Sequence, residues 1–217
     1  MKCFLFDCDG VLLNSNSVKT QAFYQATLPY GKDAAQAMVD YHTANGGISR
    51  YKKLAHFCDS ISPQFPSTTL KPDLNSLLVN YAEKVREGLL ACEVAEGLFE
   101  LRELTAGTPW MIVSGGDQAE LREVFAKRGL DHLFDAGIFG SPDTKDEILA
   151  RELASGNIKK PALFLGDSKY DYEAATRAGL DFVFVSQWSE VKDWQAWVEQ
   201  EGIETVSSIK QLTTRFS

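Results

Sequence analysis

Short apolar runs recur along the chain, and segments with helical spacing separate most of them. The first run, 3–6, reads CFLF and has no interleaved polar residue, which is typical of a strand buried on both faces of a parallel sheet. Strands that alternate with helices predict an α/β fold with a doubly wound, parallel, Rossmann-like sheet. The other predicted strands are 110–113, 136–139, 162–165, 181–185 and 203–206.

Helix-capping patterns occur between the later strands. Residues 117–120 (DQAE) and 144–147 (TKDE) both have the spacing of a capping box at a helix start. They predict helices that run to about Gly129 and Ser155, and a third helix is predicted over 171–178. These helices supply the crossovers that a parallel sheet requires.

The interval between the first two strands breaks this alternation. It contains no strand-like run, and its apolar positions have helical periods, so we predict an all-helical inserted domain over 15–92. The core domain is then formed by 1–14 and 93–217. The helices of the insert are predicted at 17–28, 33–44, 49–58 and 73–90, with breaks at 29–31, 45–47 and 60–69.

Composition narrows the class of protein. The chain has 217 residues, 44% of them hydrophobic and 24% charged, with a formal net charge of −8, as in a soluble globular protein. No basic stripe predicts a nucleic-acid partner, and no apolar run is long enough to predict a membrane span. Asp7 and Asp9 interrupt the apolar run near the start, so this run does not have the pattern of a secretory signal. The four cysteines have no CxxC spacing, so the sequence predicts no zinc site. We therefore expect reduced thiols and a cytoplasmic location, and the oligomeric state stays open.

The end of the first strand carries candidate chemistry. Asp7 and Asp9 follow the strand directly, and Gly10 comes next. Carboxylates this close repel each other, and a bound cation would offset the repulsion. Open α/β sheets bind ligands at the carboxyl ends of their strands, so the segment indicates a metal site with a carboxylate nucleophile. A surface Asp-x-Asp-Gly turn is the alternative for these residues alone.

Three later segments add groups suited to a phosphate. Ser114 is followed by two glycines at a strand end, where a hydroxyl and free amides suit a phosphate oxygen. Lys145 lies in the first turn of its helix, where the helix dipole disfavours a cation, so it is expected to face an anion. Asp167 and Asp171 follow the strand 162–165 and could complete an oxygen shell for magnesium. A glycine-rich turn, a solvated lysine and an N-cap aspartate are the respective alternatives.

Together these segments resemble the haloacid dehalogenase superfamily of phosphohydrolases. FDCDGVL, IVSGG, the lysine in SPDTKDEIL and GDSKYD occur in that superfamily's order and with similar spacing. The resemblance covers the predicted core, 1–14 and 93–217, and the helical insert resembles the superfamily's small cap domain. Such caps close over the site, exclude water and select the substrate.

The resemblance implies a role for each motif residue. Asp7 is implied to be the nucleophile that forms an aspartyl-phosphate, and Asp9 the general acid and base. Ser114 and Lys145 are implied to hold the transferring phosphoryl group. The residues implied to hold Mg²⁺ are Asp7, Asp9 through its backbone carbonyl, Asp167 and, in the inner or outer shell, Asp171.

The cap carries a second resemblance, to the β-phosphoglucomutase branch. Residues 47–50 (GISR) resemble its glycine loop, which implies that Arg50 binds a distal phosphate of the substrate. The chain departs from that branch at Lys19, where the mutases have histidine, and at Gly166, where they have glutamate. A solvated helix lysine is the alternative for Lys19. The candidate substrate-binding residues are Gly115, Arg50 and Lys19.

We therefore expect an Mg²⁺-dependent phosphatase acting on a small phosphorylated metabolite, such as a sugar phosphate. Asp9 favours phosphate esters over halides, because a halide leaving group needs no proton. A phosphosugar mutase is the first alternative, and a non-catalytic relative that binds a phosphometabolite is the second. We also expect the basic run 50–53 to form a solvated helix face, and the three histidines to be structural or on the surface.

Overall fold

A six-stranded parallel sheet forms the centre of the protein. The computed structural model describes residues 1–65 and 70–216. The strand order is β3-β2-β1-β4-β5-β6, and every neighbouring pair is parallel, which confirms the predicted fold class. The carboxyl ends of β1, β2 and β4 are therefore adjacent at the centre of the sheet. The strands are β1 Cys3–Phe6, β2 Trp110–Asp117, β3 Gly137–Ser141, β4 Ala162–Gly166, β5 Asp181–Val185 and β6 Glu204–Val206.

Helices cover both faces of the sheet. On β1, Phe4 and Phe6 belong to one buried cluster, and Cys3 and Leu5 belong to the other. The side of Cys3 and Leu5 packs against α7 and α8, and the opposite side packs against α5, α6 and α10. Burial on both faces explains why β1 is apolar at every position. The helices after the insert are α5 Leu98–Leu104, α6 Gln118–Lys127, α7 Lys145–Ala154, α8 Lys169–Ala178, α9 Trp194–Glu201 and α10 Ile209–Thr213.

Among the described residues between β1 and α5 there are four α-helices, and we call this helical layer the cap. Their apolar side chains, including Phe23, Met38, Tyr81 and Val85, form one continuous cluster with the sheet. The domain boundaries at 14–15 and 92–93 stay a prediction. Of the predicted break 60–69, residues 66–69 lie outside the described residues. The cap helices are α1 Asn16–Thr27, α2 Lys32–Ala44, α3 Arg50–His56, which continues as a π-helical turn over Phe57–Ile61, and α4 Leu74–Ala91.

Side-chain caps set where the helices near the strand ends begin. Thr144 and Glu147 form the predicted capping box of α7, so Lys145 is the first residue of that helix. The helix α8 begins before the predicted position, because Ser168 caps it in a reciprocal box with Asp171. Asp171 therefore lies in the first turn of α8, with its carboxylate turned back towards the end of β4. In the described part of the chain, no helix is long and apolar enough to cross a membrane.

Candidate active site

Asp7 follows β1 directly and is buried among charged groups. Its carboxylate accepts a hydrogen bond from the backbone N–H of Cys8 at 2.7 Å, and Lys145 Nζ lies 2.9 Å from Asp7 Oδ2. Burial raises the pKa of Asp7 to about 7; Lys145 lowers this pKa, and the nearby carboxylates of Asp171 and Asp9 raise it. The end of β1 therefore presents a buried carboxyl group beside an ammonium.

Asp7, Asp167 and Asp171 form a buried acidic cluster. One carboxylate oxygen from each residue lies within 4.8 Å of the others. Burial, and then the charge of Asp7, raise the pKa of Asp167 well above its usual range. Three carboxylates this close repel each other strongly, and an all-oxygen set of this kind fits a hard divalent cation. The residues present therefore suit a divalent metal ion.

Gly10 allows the loop after β1 to pass close to Asp167. Its φ is +75°, and a Cβ at this position would lie 2.0 Å from Asp167 Oδ2 and 2.5 Å from Asn16 Nδ2. Asn16 itself donates hydrogen bonds to Asp167 Oδ2 and to the backbone carbonyl of Trp188, both at 2.8 Å. The sequence analysis missed Asn16; its amide, just after the first motif and at the start of α1, was the available signal.

Asp171 and Lys145 form a buried ion pair. The Asp171 carboxylate accepts hydrogen bonds from the backbone amides of Asp167 and Ser168, from the Ser168 hydroxyl at 2.7 Å and from Lys145. Lys145 is 1% exposed, so the solvated-lysine alternative is wrong. Burial opposes its charge, but Asp171 and Asp7 outweigh burial and raise its pKa above the usual value. Lys145 is therefore an ammonium fixed beside Asp7.

Ser114 and Gly115 lie at the end of β2. Ser114 is fully buried, and its Oγ accepts a hydrogen bond from the Gly116 amide at 3.0 Å, which leaves its own proton available to donate. A Cβ on Gly115 would lie 2.1 Å from the carbonyl oxygen of Gly47 in the cap loop between α2 and α3. Glycine is therefore required at position 115 for this close approach of cap and core.

Asp9 and Lys19 form a pair between the core and the cap. Asp9 Oδ1 accepts a hydrogen bond from the Ser15 hydroxyl at 2.6 Å, and Oδ2 pairs with Lys19 of α1. Burial alone would raise the pKa of Asp9, but Lys19 and Ser15 lower it below the usual value. Lys19 is 7% exposed, so it is not a solvated lysine. The Asp9 carboxylate lies outside the acidic cluster, and its backbone carbonyl as a metal ligand stays a prediction.

A cavity of about 60 Å³ lies between the core and the cap. Arg50 is part of its wall, with the guanidinium 4.8 Å from the centre of the Tyr81 ring and paired with Glu120 of α6. This placement brings the predicted cap residues Lys19 and Arg50 together with the core acids around one space. The core residues in its wall are Asp7, Asp9, Gly115, Gly116, Asp167, Ser168, Glu190 and Val191.

Among the residues in the cavity wall that the sequence analysis missed are also His42, Lys53 and Glu190. Lys53 is 2% exposed, so the expectation of a solvated face for 50–53 is wrong at this position. The available signal was its spacing, because Lys53 lies three residues after Arg50 and next to the buried Leu54, on one helical face. His42 and Glu190 carry no comparable local signal.

The chain belongs to the haloacid dehalogenase-like hydrolase family. The family model matches residues 1–179, which include the acids at the ends of β1 and β4, Ser114 and Lys145. No curated protein matches the chain by sequence. The protein is therefore a haloacid dehalogenase-like hydrolase with a parallel α/β core and a helical layer inserted after the first strand.

Solved structures of low sequence identity share this fold. A predicted phosphoglycolate phosphatase from Haemophilus somnus is 18% identical, with a TM-score of 0.77 over 100% of this chain and 98% of that one. A predicted phosphatase from Clostridium acetobutylicum is 17% identical, with a TM-score of 0.73 over 99% and 97%. A proposed β-phosphoglucomutase from Thermotoga maritima is 18% identical, with a TM-score of 0.67 over 99% and 97%. At these identities the similarity establishes the fold alone.

Proposed function

We propose that this chain is a cytoplasmic, Mg²⁺-dependent phosphatase that hydrolyses a small phosphorylated metabolite, such as a sugar phosphate. The observation that carries the proposal is the burial of Asp7 beside Lys145 and Asp167, in the wall of a cavity under the cap. Membership of a hydrolase family supports it, as do fold neighbours described as phosphatases.

The proposed reaction has two displacement steps at phosphorus. The Asp7 carboxylate attacks, an Asp7–phosphate bond forms, and the bond to the leaving oxygen breaks while Asp9 gives that oxygen a proton. Asp9 then takes a proton from a water molecule, which attacks the aspartyl-phosphate and releases inorganic phosphate and free Asp7. Lys19 holds Asp9 ionised in the free protein, and the negative charge of an entering phosphoryl group favours the protonated form that the first step needs.

Fixed charges and donors complete the proposed site. Asp7, Asp167 and the backbone carbonyl of Asp9 would hold Mg²⁺, with Asp171 in the inner or outer shell. When bound, the ion supplies positive charge that stabilises the transferring phosphoryl oxygens. Lys145 places a second positive charge beside Asp7, and Ser114 donates its hydroxyl proton to a phosphoryl oxygen.

The cap side of the cavity is proposed to bind the leaving group. Two of the five N–H donors of Arg50 are taken by Glu120, which leaves three for the substrate or water. The pair with Glu120 offsets the charge of Arg50, so its proposed contribution is hydrogen bonding and closure of the cap. Gly115 and Lys19 are proposed to line the same space.

A phosphate-release screen with a panel of phosphorylated metabolites tests this proposal. With Mg²⁺ present we expect turnover of at least one ester by the wild type and none by Asp7→Asn. The exposed Asp59→Asn variant serves as the matched control and should behave as the wild type does. Conversion of a phosphosugar into its isomer without phosphate release would favour the mutase instead. Absence of both turnover and phosphoenzyme would favour the non-catalytic alternative.

A further inference from the structure

A polar cluster in the cavity wall is not used by the proposed phosphoryl-transfer steps. It consists of His42 on α2, Lys53 on α3 and Glu190 in the loop between β5 and α9. Lys53 Nζ lies 2.7 Å from His42 Nδ1 and donates to the His42 backbone carbonyl at 3.3 Å. The cluster therefore joins two cap helices to a loop of the core.

The contacts within the cluster determine where the proton of His42 lies. Burial and the charges of Lys53 and Lys19 lower the pKa of His42 to about 2, so its ring is neutral near pH 7. When Lys53 is protonated its ammonium has only donors, so in that state His42 Nδ1 accepts and Nε2 carries the proton. This Nε2–H is buried in the cavity wall and has no hydrogen-bond partner among the described residues. Buried donors are normally paired, so this one is suited to a ligand.

The carboxylate of Glu190 is an acceptor close to this donor. His42 Nε2 and Glu190 Oε2 lie 4.0 Å apart, which is too far for a direct hydrogen bond. One oxygen atom can lie about 2.8 Å from both, provided that it accepts from His42 and donates to Glu190. A hydroxyl group does both. Thr20 donates to Glu190 Oε1 at 3.0 Å and keeps the carboxylate in place.

The charges on the cap side of the cavity favour a neutral ligand over an anionic one. Lys19 pairs with Asp9, and Arg50 pairs with Glu120. The remaining cation, Lys53, has Glu190 near it, and burial lowers its pKa to about 7. Among the described wall residues, this side therefore has no surplus positive charge for a second phosphate or a carboxylate. A carboxylate placed beside Glu190 would also be repelled.

We propose that His42 and Glu190, oriented by Lys53 and Thr20, bind a hydroxyl group of the substrate's leaving group. The substrate class is then a phosphate monoester of a short polyol or small sugar. The cavity of about 60 Å³ agrees with a small substrate, because it holds on the order of five water-sized groups. This inference rests on the proposed phosphatase function and specifies its substrate.

Matched phosphate esters test the hydroxyl site. The probes are glycerol 3-phosphate, n-propyl phosphate, which lacks the hydroxyls, and 3-phosphoglycerate, which carries a carboxylate. We would measure kcat/KM by phosphate release, and affinity by calorimetry with Mg²⁺ and Asp7→Asn protein. Glycerol 3-phosphate should be preferred over propyl phosphate at least about tenfold, as expected where a site pairs with a substrate hydroxyl.

Variants on either side of the 4.0 Å gap should remove this preference. His42→Phe removes the donor, and Glu190→Met removes the acceptor; each should reduce the ratio to about threefold or less. His42→Gln, which returns an N–H donor, should restore part of it. His132→Phe, at an exposed histidine away from the cavity, is the matched control and should keep the full ratio.

The outcomes separate this inference from the proposed function. A preference that survives both His42→Phe and Glu190→Met overturns the hydroxyl site, and so does stronger binding of 3-phosphoglycerate than of glycerol 3-phosphate. If His42→Phe does not fold, Glu190→Met alone tests the hydroxyl site. The Glu190 side chain is about one-third exposed, so its replacement is expected to leave the protein folded. If the wild type releases phosphate from no ester, the phosphatase proposal fails, and the calorimetric ratio still decides the hydroxyl site. If neither glycerol 3-phosphate nor propyl phosphate binds in the calorimetric assay, the hydroxyl site is overturned as well.

Discussion

The acidic cluster should make the stability of the metal-free protein depend on pH in an unusual direction. Folding raises the pKa of Asp7 from an ordinary value of 3.8 to about 7. The folded protein therefore holds the Asp7 proton more tightly than the unfolded chain does. The resulting stabilisation is fully present below about pH 3.8 and is lost as the pH rises through about 7. A carboxylate whose pKa is lowered by folding has the opposite effect, because its contribution to stability is lost as the pH falls.

The size of the effect follows from the shift. One pKa unit corresponds to about 1.4 kcal/mol, so a shift of about three units removes up to about 4 kcal/mol of stability between pH 4 and pH 8. The pKa of Asp167 is raised as well, and acts in the same direction. Asn at position 7 does not titrate, so Asp7→Asn should gain stability relative to the wild type as the pH rises.

Urea unfolding in excess chelator, at pH values from 4 to 8, measures this difference. The free energy of unfolding of Asp7→Asn minus that of the wild type should rise by up to about 4 kcal/mol, and Asp59→Asn should show no such trend. Mg²⁺ at about 100 times its Kd at pH 8 should stabilise the wild type by about 2.7 kcal/mol at that pH, and the same concentration should stabilise it less at pH 5, because protons compete for the same carboxylates and raise the Kd. A difference between Asp7→Asn and wild type that stays flat with pH would refute the reasoning.

Three other substitutions test separate parts of the site. Lys145→Ala should lower kcat about 100-fold or more for every phosphate ester, because it removes the charge beside Asp7; a loss confined to some esters in steady-state assays would contradict this. Gly10→Ala should lower stability by about 1–2 kcal/mol through its positive φ. It should also weaken Mg²⁺ activation about 10–100-fold by displacing Asp167, and normal Mg²⁺ titration would exclude this contact. Arg50→Ala leaves the partly buried carboxylate of Glu120 unpaired, so unfolding should become easier by up to about 3 kcal/mol. Its KM should rise alike for p-nitrophenyl phosphate and for metabolites, whereas a rise confined to esters with a second anionic group would show that Arg50 binds that group.

The strands were predictable because their signal is local. The strand β5 has the predicted limits, and β1 matches 3–6, since both are continuous apolar runs that need burial on two faces. The strand β2 continues through SGGD to Asp117, past the apolar run, because Asp117 pairs with Ser141 of β3 after an irregularity in register that begins at Val113. The short helices α5, α9 and α10 were not predicted, since stretches this short carry few periodic positions.

The states of individual side chains were less predictable. Lys19 and Lys53 stand on helices, where a lysine is by default solvated, yet both are buried. Asp167, Ser168 and Asp171 are all good helix caps, and only the reciprocal bonds between Ser168 and Asp171 decide where α8 begins.

The succession of the predicted strands along the chain, the helical stretch after β1 and the acids that follow β1 and β4 could be inferred from local patterns. These depend on apolar periodicity and on residue types within a few positions of each other. Which polar groups meet depends instead on how the chain folds: Lys19 pairs with Asp9, Arg50 pairs with Glu120, and His42 lies opposite Glu190. Arg50 and Glu120 are 70 positions apart, and His42 and Glu190 are further apart still, so these contacts arise only when the cap packs on the core. The physical reason is that burial and pairing of a charge are set by the partners that folding brings together, and no local pattern encodes them.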